Sequence, residues 1–192
     1  SYNFSGRAVI WHGASAKIVG SQFYESGGFQ LDATHSDVVN TAWHTHRQQA
    51  VDRIITTAGT ARIEASTFFW SWPVCQDCTS PSLGFATAGT GVFDFHSTAI
   101  GSGAGYPGAE PLLWGNTSTG FTSDARTWVQ PTGSQDATAI HAILPNALTD
   151  PPGLGTALLG DAISDVTPLL GTSGNPGVLI DAVTDASCDP PD

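Results

Sequence analysis

The chain has 192 residues, of which 40% are hydrophobic and 12% are charged, so it suits one ordinary domain with enough apolar material for a core. Seventeen acidic residues against six basic ones give a formal charge of −11, which disfavours contact with nucleic acid or anionic lipid. No apolar run approaches the roughly 20 residues of a membrane-spanning helix, so we expect no membrane insertion.

The first part of the chain carries short runs rich in β-branched and aromatic residues, separated by clusters of Gly, Ser, Asn and Pro. This pattern predicts a mainly β fold, an antiparallel β-sandwich or barrel. The clearest predicted hairpin joins residues 54–57 to residues 61–65 through a turn at Gly59, with Ile55 and Ile63 on one face and Arg62 and Glu64 on the other. The runs lie at residues 2–10, 16–20, 53–57, 61–65, 91–97 and 126–130, and residues 137–143 alternate less cleanly.

One stretch favours a different structure. Ser36 suits the N-cap of a helix, and Val39, Trp43, His46, Ala50 and Ile54 fall on one helical face. The Val and Thr content of the stretch favours a strand instead. We predict one short helix near residues 36–53. No internal repeat of fixed period is visible.

The composition changes in the last third of the chain. Residues 129–192 carry eight aspartates and no basic residue. Beyond residue 144, short apolar clusters alternate with Pro and Gly, which prevent a long helix and leave little to build an independent core. We therefore divide the chain into a β-rich domain, residues 1–144, and an extended acidic C-terminal arm, residues 145–192, that packs on the body or on a neighbouring subunit.

Aromatic residues are concentrated at residues 68–73, where both faces of a strand would be aromatic. Such a strand fits burial on both sides, with a partner chain covering one of them. Alternatively, exposed indoles could stack on sugar rings. Trp70, Trp72 and Trp114 are the candidate carbohydrate-binding residues.

Two further constellations could carry chemistry. His44 and His46 would share one face of a strand and could hold Zn or Cu, but on a helix they would diverge. Cys75, Cys78 and Cys188 are an odd set that allows one disulfide, either across the short loop or from the C-terminus to the body. Satisfied histidines and idle or structural cysteines remain the simpler interpretation, so we expect no cofactor.

No catalytic motif is present. The chain lacks a Gly-x-Ser-x-Gly elbow, a phosphate-binding Gly-x₄-Gly-Lys loop and a dinucleotide fingerprint. We therefore predict a non-enzymatic building block of a symmetric assembly, extracellular or in a virion as a capsid, decoration or tail component. Its partners would be copies of itself or other subunits, reached through the C-terminal arm. The alternatives are a secreted carbohydrate-binding module and a histidine-based metalloprotein.

Overall fold

The computed structural model describes residues 9–24, 27–45, 53–70, 83–102, 111–114 and 119–150. Within them, short strands follow one another and a single helix comes last. The elements are β1 (Val9–Val19), β2 (Gln22–Tyr24), β3 (Phe29–Val39), β4 (Ala42–Thr45), β5 (Arg53–Thr57), β6 (Thr60–Glu64), β7 (Thr67–Trp70), β8 (Leu83–Thr87), β9 (Val92–His96), β10 (Ala99–Ser102), β11 (Leu113–Trp114), β12 (Phe121–Ser123), β13 (Trp128–Val129) and α1 (Ala137–Ile143).

All of the strand pairings among the described residues are parallel, and each strand pairs with strands one turn of chain earlier or later. The result is a β-solenoid whose rungs are β1–β2, β3–β4, β5–β7, β8–β10 and β11–β13. The expected antiparallel sandwich or barrel is therefore wrong. Short apolar-polar runs separated by turn residues are common to both architectures, so the pattern alone did not give the strand direction.

The solenoid has three sides. The first side stacks β5, β8 and β11 on the first half of β3, and the second side stacks β6, β9 and β12 on its second half. Because β1 and β3 run through both sides, these strands form one curled sheet. The third side is a separate sheet in the order β13, β10, β7, β4, β2.

The predicted hairpin is a corner of the solenoid. Both of its strands exist, but β5 pairs with β3 and β8, and β6 pairs with β3 and β9. At the corner, a Cβ on Gly59 would lie 2.0 Å from the Ala33 carbonyl oxygen of the previous rung, so the close stacking of the rungs requires glycine there. The predicted faces are confirmed, since Ile55 and Ile63 are buried and Arg62 is exposed.

The helix predicted near residues 36–53 is wrong where the structure describes it. Residues 36–39 belong to β3 and residues 42–45 to β4, while residues 46–52 lie outside the described residues. The strand preference of Val and Thr prevails over the helical spacing, because both strands gain parallel partners and Trp43 reaches the core.

The alternation at residues 137–143 also misleads, because this segment is helix α1. The Asp136 carboxylate caps it by accepting a hydrogen bond from the Ala139 N–H at 2.8 Å. Ile140 and Ile143 face the core, at the spacing that one side of a helix requires. The helix ends before Leu144, which is buried as well.

Aromatic rings fill much of the interior. Phe85 is central to this packing, with its ring centroid 5.1 Å from that of Phe68 and 5.1 Å from that of Phe93, both in edge-to-face geometry. Phe93 stacks on Phe121 of the next rung at 5.9 Å. Because parallel register repeats the inward positions, Phe85 is in register with Ile55 and Leu113, and Phe95 is in register with Ile63.

The corner between the second and third sides is the same in four rungs. Its first residue has a positive φ, at Gly20, Asn40, Ala65 and Ser97. Its second residue carries a hydroxyl, at Ser21, Thr41, Ser66 and Thr98. These hydroxyls donate to backbone carbonyls, as Thr98 does to Ile63 O at 3.1 Å, which satisfies the hydroxyls of Thr41, Ser66 and Thr98 although they are buried.

Candidate functional site

The predicted carbohydrate-binding tryptophans are not brought together among the described residues. Trp70 is fully buried in β7, with its ring centroid 4.9 Å from that of Trp43, so its ring is not accessible to a sugar. Trp114 lies at the end of β11 and is half-buried, on the outward side of a strand whose Leu113 faces the core. Trp72 lies outside the described residues.

The metal and disulfide predictions fall largely outside the described residues. His44 lies in β4, which is the strand context that the metal hypothesis requires, but its side chain is not described, and neither is His46. Cys75, Cys78 and Cys188 also lie outside. Among the residues with a described position, no group of three or more His, Cys, Asp or Glu is placed to hold a metal ion. Both hypotheses stay predictions.

Strand β7 is buried on both faces, as its sequence suggested. Phe68 and Trp70 are buried, and so is Phe69 between them in the sequence. The Phe69 ring stacks on Trp128 at a centroid distance of 6.3 Å, and Gly101 leaves room for it, since a Cβ there would lie 2.9 Å from the ring. Residues of the same chain therefore contribute cover to this face, which weakens the argument for a partner chain.

The second side carries a row of outward-facing residues whose charge alternates from rung to rung. Lys17 is in register with Asp37, Asp37 with Arg62, and Arg62 with Asp94. Opposite charges on neighbouring strands attract, whereas like charges in register would repel. The row is completed in β12 by Thr122, whose hydroxyl donates to Asp94 Oδ1 at 2.5 Å. We call these residues the charge row.

The charge row is linked sideways to further polar residues. His35 Nε2 lies 3.1 Å from Asp37 Oδ1, and His96 Nε2 lies 2.8 Å from Asp94 Oδ2. Burial raises the pKa of Asp94, but the hydrogen bonds from Thr122 and His96 and the nearby positive charges outweigh burial and lower it. These groups pair with one another, so the second side is stabilised by a network of polar contacts. The contacts described in this network include no nucleophile with an adjacent base.

The C-terminal end of the solenoid is closed by side chains and backbone that replace a further rung. On the first side, Gln135 Oε1 accepts from the N–H groups of Leu112 at 3.0 Å and Leu113 at 3.1 Å, and Gln135 Nε2 donates to Leu113 O at 2.9 Å. The amide thus offers both an acceptor and a donor, as a neighbouring strand would. Gln135 is itself buried.

The third side is closed at the same end. On the third side, Val129 N–H donates to Leu148 O at 2.9 Å, and Leu148 N–H donates to Thr127 O at 2.8 Å. Trp128 Nε1 donates to Asp150 O at 2.8 Å. At the corner of the second side, the Asp124 carboxylate accepts the Ser97 N–H. Helix α1 adds Ile140 and Ile143 to the core, whereas β12 on the second side pairs with β9 and has no described partner on its other edge.

The N-terminal end is different. Among the described residues, β1 pairs only with β3, so one edge of an 11-residue strand has no described partner. Trp11 is in register with the fully buried Leu31 and yet is 39% exposed, because no described rung lies above it. Ile10 and Val19 are 58% and 54% exposed. Unpaired apolar edges of this kind are templates for pairing with another strand.

Sequence reasoning missed both ends of the solenoid. Gln135 and Asp124 read as ordinary polar residues, since only their position next to the last rung gives them a capping role. The described residues contain no helix long and apolar enough to cross a membrane. Comparison with protein-family models, with curated proteins and with solved structures finds no match.

Proposed function

We propose that this protein is a non-enzymatic structural building block of a larger symmetric assembly, in a virion as a capsid, decoration or tail component, or on an extracellular surface. The observation that carries the proposal is the contrast between the two ends of the solenoid. One end is capped on its first and third sides, whereas the other presents the edge of β1 with Ile10, Trp11 and Val19 exposed.

The contrast matters because solenoid rungs are stable only when neighbours cover their apolar faces. The cap formed by Gln135, Leu148 and α1 supplies that cover at one end. A subunit that joins others would leave the opposite end for contact. Three exposed large apolar residues on one strand support this role for β1. Outside β1, Leu148 is the only exposed large apolar residue among the described residues.

The low charged fraction and the abundance of small residues agree with an assembly component outside the cell. The absence of a catalytic motif in the sequence favours a structural role over an enzymatic one. The paired charges of the second side agree with a structural role, because they stabilise the surface.

The mass of the full-length protein under native conditions tests the proposal. We expect a discrete oligomer or a concentration-dependent series, and Trp11→Ser should shift it toward the monomer because it removes the largest exposed apolar side chain of β1. Leu148→Ser, at an exposed residue of the capped end, is the matched control and should leave the mass unchanged. A wild-type protein that is monomeric at every concentration would contradict the proposal.

The carbohydrate-binding alternative has less support. Of its three tryptophans, Trp70 is buried and only Trp114 is described as partly exposed. A single partly exposed indole offers one stacking surface.

A further inference from the structure

The charge row breaks off at the open end of the solenoid. From the last rung upward it reads Thr122, Asp94, Arg62, Asp37 and Lys17. Asp37 and Arg62 each lie between two opposite charges, and Asp94 lies between Arg62 and the Thr122 hydroxyl. Lys17 has Asp37 on one side and, on the other, an edge of β1 that has no partner among the described residues. Strand β1 of the first rung contains no acidic residue. His12 Nδ1 of the same strand lies 3.9 Å from Asp32 Oδ2 of the second rung. A strand that continues the pattern would place a carboxylate beside Lys17.

The faces of β1 define the rest of such a strand. Ala16 and Ile18 are buried and point inward on either side of Lys17, and Val19 points outward and is exposed. A matching strand therefore needs an acid flanked by two apolar residues that cover the core, followed by an apolar residue over Val19. It should carry no basic residue.

The sequence contains such a segment beyond the described residues. Residues 178–186 read Val-Leu-Ile-Asp-Ala-Val-Thr-Asp-Ala. With Asp181 beside Lys17 in parallel register, Ile180 would lie over Ala16 and Ala182 over Ile18. Val183 would then lie over Val19. In residues 161–166, the other acidic and apolar stretch, Asp165 beside Lys17 would put the polar Ser164 over Ala16.

We propose that residues 178–186 of a second copy of this chain add to the edge of β1 as a parallel strand, with Asp181 beside Lys17. This inference rests on the proposed assembly function and names its contact. The chain continues for 42 residues beyond Asp150, and Asp150 lies at the last rung, where its carbonyl accepts from Trp128. The donor segment thus follows the capped end and the acceptor edge forms the open end. Repeating the contact joins copies head to tail.

The test exchanges the two charges in the full-length protein. Lys17→Glu and Asp181→Lys should each raise the concentration at which half of the protein is dissociated by about tenfold or more, as measured by native mass and sedimentation. The double variant Lys17→Glu with Asp181→Lys should restore association, because the opposite charges are again paired. Asp165→Lys makes the same charge change outside the segment and should leave association unaltered. Circular dichroism and thermal melting establish that each variant is folded.

Mixing the two single variants distinguishes contact between copies from contact within one chain. An equimolar mixture should associate like the wild type, since each edge then meets a complementary segment from the other variant. Rescue in the double variant without rescue in the mixture would overturn the second-copy assignment in favour of an intramolecular strand. If the wild type associates and neither single variant weakens it, the inference is wrong while the assembly function stands. A monomeric wild type overturns the assembly function itself.

Discussion

The Asp124 carboxylate of the last rung accepts the Ser97 N–H in place of a backbone carbonyl. In the preceding rungs, the residue with positive φ donates its N–H to a carbonyl of the next rung, as Asn40 does to Glu64 O and Ala65 to His96 O. At Ser97 the N–H instead lies 3.1 Å from each carboxylate oxygen of Asp124. The carboxylate therefore ends the ladder of this corner with a charge-assisted hydrogen bond.

Asp124→Asn should lower the free energy of unfolding at neutral pH by about 1–3 kcal/mol, because a charged acceptor of several hydrogen bonds is lost. Burial raises the pKa of Asp124, but the N–H groups of Ser97 and Arg126, the Thr127 hydroxyl and the Arg126 charge lower it below 3.8 overall. A lowered folded-state pKa stabilises the protein above the unfolded-state pKa, and this stabilisation is lost as the pH falls through the folded-state value.

Urea unfolding at neutral pH and at successive values below 3.8 measures both effects. The free energy of unfolding of the wild type should fall as the pH is lowered, partly because Asp124 becomes protonated. The free energy of unfolding of Asp124→Asn should fall less steeply with pH. Asp94 also has a lowered pKa, so some acid dependence remains in the variant. Equal slopes for the wild type and Asp124→Asn would contradict the capping role.

Gln135→Leu should lower the free energy of unfolding by about 2–4 kcal/mol. The substitution leaves the N–H groups of Leu112 and Leu113 and the carbonyl of Leu113 buried without the hydrogen bonds that Gln135 provides. Gln135→Glu tests the donor separately, because a carboxylate accepts but does not donate. Ser134→Ala, at the exposed neighbouring residue, is the control and should change the unfolding free energy by less than about 0.5 kcal/mol. A Gln135→Leu protein as stable as the control would remove Gln135 from the cap.

Ala65→Gly should stabilise the protein slightly. Ala65 has a φ of 46°, a conformation that costs an L-residue with a Cβ about 1–2 kcal/mol. Glycine relieves that strain but adds unfolded-state entropy, so we expect a net gain of at most about 1 kcal/mol in thermal or chemical denaturation. Ala61→Gly in the adjacent strand β6 has only the entropic cost and lost packing, and should destabilise. The same sign for both variants would contradict this account of the corner.

The two faces of β6 should respond oppositely to substitution. Ile63→Asp places a carboxylate among the buried side chains of Val38 and Phe95 and should prevent folding or cost several kcal/mol. Arg62→Leu changes an exposed side chain and should keep the fold, with the loss of its ion pair to Glu64 and of its positive charge between Asp37 and Asp94. Circular dichroism and thermal melting of the two variants compare the faces. A folded Ile63→Asp together with an unfolded Arg62→Leu would invert the assignment.

Some strands and their faces, such as β5, β6 and β9, could be predicted from the sequence, but their partners could not. Alternation around Ile63 and Phe93 identifies which side chains point inward, and this follows from the period of a strand in any sheet. Whether β5 turns back on β6 or continues around a corner depends on the close approach of Gly59 to the previous rung. That approach is a contact between distant segments, and no local pattern reports it.

The repeat is hidden for a related reason. Ala16, Ser36, Ala61, Phe93 and Phe121 occupy equivalent inward positions in successive rungs. Their spacings are 20, 25, 32 and 28 residues, because the connections between rungs differ in length. The inward residues also differ in size and polarity, so neither a fixed period nor a repeated residue type marks the rungs.

The choice of candidate site residues depended on side-chain exposure, which a local sequence pattern does not report. Trp70 was chosen for its chemistry, but in β7 it packs against Trp43 and contributes to the core. Nothing in the sequence of β1 beyond its strand pattern indicated that one of its edges has no described partner. The ends of a solenoid are identified only once the order of the strands is known.

The contrast between the ends also sets the order in which backbone amides should exchange with solvent. In a stack of rungs, each rung is held only by its neighbours, so opening begins at an end and proceeds rung by rung. The last rung is held by Gln135 and Leu148, whereas β1 is held through β3 alone among the described strands. Amide protons of β1 should therefore exchange first, and protection should increase toward the middle rungs. Opening of this solenoid should therefore proceed from β1 toward the capped end. A strand that covers β1 would slow amide exchange in all of the rungs that follow it.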